Sequence, residues 1–95
     1  MSKHTRGPWV IDWNVARLDI FSSDAKVLVA SLRRSAMSPA IDEAARANAR
    51  LIAAAPDLLA MLVEAHDIID AIGQPETAEV AARMLAVIAK AKGGA

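Results

Sequence analysis

Few side chains in this sequence are able to do covalent chemistry, and none of them forms a recognisable catalytic or metal-binding set. The two histidines, His4 and His66, have no second histidine at metal-ligand spacing. His66 and Asp70 are one helical turn apart, which is typical of a surface ion pair on the outer face of a helix. The chain has no cysteine, which excludes thiol chemistry and disulfides. We therefore expect a protein that is not an enzyme and that holds neither metal nor cofactor.

Side chains suited to binding are better represented. Trp9 and Trp13 share one face of a predicted strand, where they either stack a flat ligand such as a base or form the largest part of the core. Arg33 and Arg34 come shortly before a predicted helix N-terminus, where guanidinium groups bind phosphate; a solvated loop pair is the alternative. Ligand contact and a plain structural role both remain open for these four residues.

Asn48 is the polar group that the predicted helices explain least. In projection at about 100° per residue, it lies at the centre of an apolar side of the first helix. That side consists of Ile41, Ala44, Ala45, Leu51, Ile52 and Ala55. A buried amide needs hydrogen-bond partners, so Asn48 either joins the helix to the sheet or contacts a ligand. Arg46 and Arg50, on the opposite face, continue a row of charges that begins at Asp42.

The first third of the chain is predicted to form β-strands. Alternating runs over residues 9–13 and 16–21, and an apolar run over 26–32, are typical of strands. Residues 22–25, with the sequence Ser-Ser-Asp-Ala, are typical of a hairpin loop. We expect Leu18 and Ile20 to lie on one face of the second strand. The pattern predicts a three-stranded antiparallel meander.

Helices follow the strands. Ser38 and Pro39 form a strong helix start, and Gly73 and Pro75 separate the last two helices. Pro56 either kinks a single helix or begins a new one, and we favour a new helix. The residues predicted to face inward are Leu58, Leu62, Ala65, Ile69 and Ile72 in the middle helix, and Val80, Met84, Val87, Ile88 and Ala91 in the last. The fold class is therefore α+β: the meander packed on two to three C-terminal helices that form a helical hairpin. We expect one domain over 1–95, with strands at about 8–32 and helices at about 38–92.

Two apolar surfaces predict self-association. The third strand is apolar on both faces, with Val27 and Val29 on the face that its own helices do not cover. Leu59 and Val63 form a small apolar stripe on the outer side of the middle helix. These four residues are the predicted interface of a homo-oligomer.

Composition restricts the class of protein further. Alanine supplies 22 of the 95 residues, so the core holds few bulky side chains. The net charge is zero, which argues against a nucleic-acid-binding protein. No apolar run approaches the roughly 20 residues that cross a bilayer, and no secretory signal is recognisable at the N-terminus. We expect a cytoplasmic protein that contacts no membrane.

Two motifs carry a resemblance to a known group of proteins. Residues 4–9 read His-Thr-Arg-Gly-Pro-Trp, and residues 48–59 read Asn-Ala-Arg-Leu-Ile-Ala-Ala-Ala-Pro-Asp-Leu-Leu. In these motifs the chain resembles a widespread set of small phage and prophage proteins. In its order of strands before a helical hairpin, it also resembles phage sponges that sequester cyclic nucleotide immune signals, the Thoeris-countering type. A third helix would depart from that layout.

The resemblance implies a phage-encoded, non-enzymatic counter-defence protein that sequesters a cyclic nucleotide between subunits. Arg33, Arg34 and Arg50 would then contact phosphates, Trp9 or Trp13 would stack the base, and Asn48 would contact a polar edge. Two alternatives remain: a protein–protein inhibitor of a bacterial defence enzyme, of the anti-CRISPR type, and a small nucleic-acid-binding regulator.

Overall fold

A three-stranded antiparallel sheet and two helices make up the computed structural model, which describes residues 4–93. The strands are β1 (Trp9–Trp13), β2 (Arg17–Ser22) and β3 (Leu28–Arg33), and β2 lies in the centre. The helices are α1 (Pro39–Ile72) and α2 (Pro75–Ala91). The α+β class, the meander and the C-terminal helices are as predicted. Residues 5–56 form one compact unit, and His4 with residues 57–93 forms another.

The core of the 5–56 unit lies between the sheet and the first half of α1. Leu18 and Ile20, on one face of the central strand, are fully buried, as the alternation predicts. Opposite them lie Ala45 and Ala49 of α1, also buried. The partly buried residues around this centre are Trp9, Ile11, Val29, Ala30, Leu32, Ile52 and Ala53. Alanine on the helix lets its backbone approach the sheet closely, so this small core contains few large side chains.

The predicted placement of Val29 on the uncovered face of β3 is wrong because the strand contains a bulge. Its register against β2 shifts between Ile20, which pairs with Ala30, and Phe21, which pairs with Leu28. Val29 is the extra residue, and it packs against this chain's own core rather than on the uncovered face. Leu28 is instead half exposed beside Phe21. A bulge adds one residue to one strand, and the alternation of apolar and polar residues in the sequence does not predict it.

Helix α1 begins as predicted and continues further than predicted. The Ser38 hydroxyl accepts a hydrogen bond from the Ile41 N–H, and Pro39 is the first helical residue. The expected new helix at Pro56 is wrong, since Pro56 lies inside a single helix of 34 residues. A proline there removes one donor of the helical ladder without ending the helix.

The predicted burial of Asn48 is also wrong. Ala45 and Ala49 face the sheet, whereas Asn48 is exposed together with Ile41 and Leu51. The apolar residues of this helix cover two neighbouring arcs, one of alanine and one of larger side chains. The projection centred on the larger side chains, but the narrower alanine arc is the one that lies against the sheet.

The 57–93 unit is a helical hairpin. Gly73, with a φ of 68°, ends α1, and two residues later Pro75 begins α2. Ala81 and Ile88 are buried on α2. Several residues predicted to face inward are instead exposed: Leu58, Ile72, Val80 and Val87. The seam that is used contains Ala81 and Ile88 and is rotated by about one position from the predicted one.

Candidate functional site: an arginine–tryptophan patch

The end of β1 and the middle of α1 place a tryptophan and an arginine in direct contact. The Arg50 guanidinium lies over the Trp13 indole, with its carbon 5.4 Å from the ring centroid. Trp13 is 48% exposed and Arg50 is exposed, so part of the indole and the guanidinium group are accessible to solvent. A cation over an aromatic face is favourable and leaves the guanidinium N–H groups available at the ring edge.

A cluster of charges on α1 adjoins this pair. Asp42 is bound through both its oxygens by Arg34, at 3.0 Å from Nε to Oδ1 and 3.0 Å from Nη2 to Oδ2. Arg46 Nε lies 3.5 Å from Asp42 Oδ2, as the sequence predicts for a pair one turn apart. Within residues 4–93 no carboxylate pairs with Arg50. Two guanidinium groups, those of Arg34 and Arg46, therefore share the Asp42 carboxylate, and Arg50 adds a third positive charge one turn further along the helix.

The Arg34–Asp42 pair also fixes the β1–β2 turn against α1. The same guanidinium donates through Nη1 to the carbonyl oxygen of Asn14 at 3.0 Å. The Asn14 side chain in turn accepts hydrogen bonds from the N–H groups of Ala16, at 3.1 Å, and Arg17, at 2.7 Å. This turn directly follows Trp13, so the network fixes the backbone next to the indole.

The Arg34 hydrogen bond lowers the pKa of the Asp42 carboxyl below its ordinary value of 3.8, and the same contact raises the pKa of Arg34. Desolvation acts in the opposite sense on both groups and is the smaller effect. Asp42 is therefore ionised at neutral pH, and it forms a structural ion pair with Arg34.

Not all of the predicted ligand-binding residues meet at one place. Trp9 packs against the core, and its Nε1–H donates to the Thr5 carbonyl oxygen at 3.1 Å. Arg33 lies on β3 across from Arg17, in the register whose side chains point away from the Leu18 face. Asn48 is exposed, and no hydrogen bond of its side chain is found within residues 4–93. Of the six predicted residues, Trp13 and Arg50 are in contact, and Arg34 lies nearby through its bond to Asp42. Arg46, which was not predicted, also adjoins them, and we call Trp13, Arg46 and Arg50 the Trp13–Arg50 patch.

The four predicted interface residues differ in exposure. Val27 is 43% exposed, at the end of the hairpin loop, whereas Val29 belongs to the core. Leu59 and Val63 are half-buried in the helical hairpin. The larger exposed apolar side chains of that hairpin lie elsewhere, at Leu58, Met61, Ile68 and Ile72.

Two concave surfaces lie apart from the patch. A groove of about 330 Å³ in the helical hairpin is lined by His66, Asp70 and Leu85, among others. The predicted pairing of His66 with Asp70 on an outer face is wrong, because His66 Nδ1 lies 3.3 Å from Asp67 Oδ1 and its ring turns into the groove. No arginine or lysine is among the residues that line the groove, so it lacks the guanidinium groups of the arginine–tryptophan pair.

The second cavity, about 210 Å³, lies between the Thr5–Gly7 segment and the β2–β3 loop. Asp24 occupies its polar end, accepting hydrogen bonds from the Ser22 hydroxyl at 2.6 Å and the Lys26 N–H at 3.1 Å. The first of these is the main reason that the pKa of Asp24 lies below its ordinary value. These bonds close the loop and leave the carboxylate satisfied.

Sequence reasoning missed one buried carboxylate. Asp19, on the face of β2 opposite Leu18 and Ile20, is only 6% exposed. It accepts a hydrogen bond from the Ser31 hydroxyl at 2.5 Å and lies 3.6 Å from Arg17 Nη2. The signal was the meander itself, because a residue of the central strand has a neighbour on each side. Ser31 is its direct partner in the register.

The two motifs behind the resemblance contact each other. A Cβ built on Gly7 would lie 2.6 Å from Pro56 Cβ and 2.7 Å from Pro56 Cγ, so only glycine allows this approach. Trp9 and Thr5 close the first motif through the indole hydrogen bond. The Gly-Pro-Trp element and the Ala-Ala-Ala-Pro segment are therefore a structural joint of the 5–56 unit.

Comparison with known families decides the relationship of the chain. The family model described as Salmonella phage P22 protein Y8K6 matches residues 1–95. The chain belongs to this family. The predicted phage relationship is confirmed at that level, and the family description assigns no activity. The search of curated proteins and the search of solved structures each find no match.

No helix within residues 4–93 is both long and apolar enough to span a bilayer. Over the same residues, no group of three or more histidine, aspartate or glutamate side chains is placed to hold a metal ion.

Proposed function

We propose that this phage-family protein is a non-enzymatic counter-defence protein, a homo-oligomer that sequesters a cyclic nucleotide immune signal in the cytoplasm of the bacterial host. The observation that carries the proposal is the Arg50 guanidinium over the half-exposed Trp13 ring, beside a second arginine. An exposed aromatic face with adjoining cations fits a ligand that has both a flat base and a phosphate.

Each group has a defined task in this proposal. The Trp13 indole stacks the base, which is worth about 1–3 kcal/mol per base in proteins that bind single-stranded nucleic acids. Arg50 and Arg46 bind the phosphate oxygens, since neither needs to abandon a bidentate carboxylate to do so. Arg34 stays bound to Asp42 and fixes the backbone next to the indole. A compact anion of low charge suits this patch better than a long polyanion, because the whole chain has no net charge.

Titration calorimetry with a panel of cyclic mono- and dinucleotides and cyclic ADP-ribose derivatives tests the proposal. We expect micromolar or tighter binding of one compound, lost in Trp13→Ala and weakened at least tenfold in Arg50→Ala. Arg33→Ala, on the other face of the sheet, is the matched control and should bind normally. Absence of heat with every compound would contradict the proposal.

Sequestration also differs from degradation. After incubation and denaturation of the protein, mass spectrometry should recover the nucleotide unchanged; a cleaved product would contradict the non-enzymatic part. A host enzyme captured by the protein without any nucleotide would favour the protein–protein inhibitor instead. A gel shift with nucleic acid that weakens steeply with salt would favour the regulator.

A further inference from the structure

The helical hairpin of residues 57–93 leaves its larger apolar side chains in solvent. On α1, Leu58, Met61, Ile68 and Ile72 are each more than half exposed, and their spacing alternates between three and four residues with Ala65 completing the row. Val80 and Val87, seven residues apart on α2, are 39% and 55% exposed. A row with this spacing is the pattern of a helix that packs against another helix.

These six residues lie on one side of the hairpin. Ile69 of α1 and Ala78 and Ala81 of α2 line a common groove close to the connection, so the two helices run antiparallel. In a helical projection of α1, the apolar row lies about 100° away from the side that faces α2. In the projection of α2, Val80 and Val87 lie about 90° away from the buried Ala81 and Ile88, and the sense of rotation is the same. In an antiparallel pair, equal senses of rotation fall on the same side. We call this surface the apolar hairpin face.

Charges at the margins of this face are arranged in complementary rows. The α1 margin has Asp57 and Glu64. The α2 margin begins with Glu76 and Glu79 near the connection and continues with Arg83 and Lys90. Ile72 and Pro75 lie level across the connection. Glu64 lies eight residues before Ile72, and Arg83 lies eight residues after Pro75. Asp57 lies fifteen residues before Ile72, and Lys90 lies fifteen residues after Pro75. Each acid of the α1 margin is therefore level with one base, on the opposite margin of the face.

We propose that a second copy of this chain docks on the apolar hairpin face, about a two-fold axis parallel to the helices, to form a four-helix bundle. This axis places α1 of one copy antiparallel to α2 of the other. Glu64 then lies beside Arg83 of the second copy, and Asp57 beside Lys90 of the second copy. A perpendicular axis would instead bring the two acidic margins together, which like charges oppose.

The size of the face fits this occupant. Six apolar side chains, most of them more than half exposed, present several hundred Å². Together with the charged margins they approach the ~800 Å² per partner of a standard interface. A basic helix of another protein would satisfy the acidic α1 margin but would face Arg83 and Lys90 unfavourably. The inference specifies the oligomer of the proposed function and does not depend on its ligand.

Light scattering after size-exclusion chromatography of the full chain without nucleotide tests the inference alone. We expect a mass of twice 10.0 kDa, and a monomer for Ile68→Glu. Leu85→Glu is the matched control: Leu85 is 54% exposed on the groove side of the same hairpin, and this variant should stay dimeric. Circular dichroism checks that both variants keep their helices. A monomeric wild type, or an Ile68→Glu dimer as stable as the control, would overturn the inference.

A charge exchange tests the orientation. Glu64→Arg and Arg83→Glu should each raise the dimer dissociation constant about tenfold, since each reverses two symmetric pairs at the margins. The double variant Glu64→Arg with Arg83→Glu restores the pairs and should return the constant to within about threefold of the wild type. Additive weakening in the double variant would contradict the proposed axis.

Discussion

At the scale of single residues, Arg34 shows how one side chain joins three parts of the chain. It binds both oxygens of Asp42 on α1 and the carbonyl of Asn14 in the β1–β2 turn. From the sequence it was a candidate phosphate ligand because it precedes a helix N-terminus. The structure gives it a positioning task beside the Trp13–Arg50 patch.

The pKa of Asp42 leads to a prediction about acid stability. Because its folded pKa lies below 3.8, the Arg34 pair stabilises the fold above that value and loses this contribution as the pH falls through the folded pKa. We expect Asp42→Asn to lower Tm at pH 7, with the difference from wild type shrinking below about pH 4. Thermal melts from pH 2.5 to 7 measure it. Glu43→Gln, an exposed neighbour, should show little difference at any pH, and a gap for Asp42→Asn that did not shrink at all between pH 4 and pH 2.5 would refute the assignment.

Gly7 leads to a second prediction. A methyl group at this position meets the Pro56 ring at 2.6 and 2.7 Å, so Gly7→Ala should destabilise the protein by about 1–3 kcal/mol in chemical denaturation. Pro56→Ala removes Cγ, one of the two obstructing atoms. The cost of Gly7→Ala should therefore be smaller in the Pro56→Ala background, and equal costs in both backgrounds would mean that the two residues do not interact.

At the scale of elements, the contact between α1 and the sheet depends on small side chains. Ala49 is fully buried against Leu18 and Ile20, whereas Ala47, two residues earlier, is exposed. Ala49→Leu should cost about 1–3 kcal/mol of stability by overpacking, and Ala47→Leu should be nearly neutral. Urea denaturation of both variants measures the difference. Equal stability would show that the helix is able to move away from the sheet without loss.

The elements also show where sequence reasoning failed. Although the predicted break at Pro56 was wrong, the strand limits, the start of α1 and the limits of α2 were predicted to within about two residues, because turns and caps have local signals such as Ser22–Ala25 and Ser38–Pro39. The side of Val29 on β3 and the buried faces of α1 and α2 were not. A bulge brings Val29 onto the core side of β3. On α1 and α2 the buried side is rotated by about one residue, toward Ala49 and toward Ala81.

At the scale of the whole molecule, the proposed dimer makes stability depend on concentration. If the apolar hairpin face is covered by a second copy, Tm should rise with protein concentration, because the folded state is then coupled to association. We expect this rise between micromolar and millimolar wild type in differential scanning fluorimetry or calorimetry. Ile68→Glu should show no such dependence, and a wild-type Tm independent of concentration would contradict the dimer.

The sequence alone determined the α+β class, the order of the meander, the helix starts at Pro39 and Pro75 and the relationship to a phage family, because these depend on local propensity or on contiguous motifs. Only the tertiary structure decided which candidate residues meet. Trp13 and Arg50 are 37 positions apart, and their contact exists because α1 lies across the sheet. Likewise, the exposure of Asn48 and the burial of Asp19 depend on which helix arc and which strand neighbours are close. The hydrophobic periodicity of a sequence shows which apolar faces a helix or strand has. Which of these faces is buried depends on how the elements pack against each other.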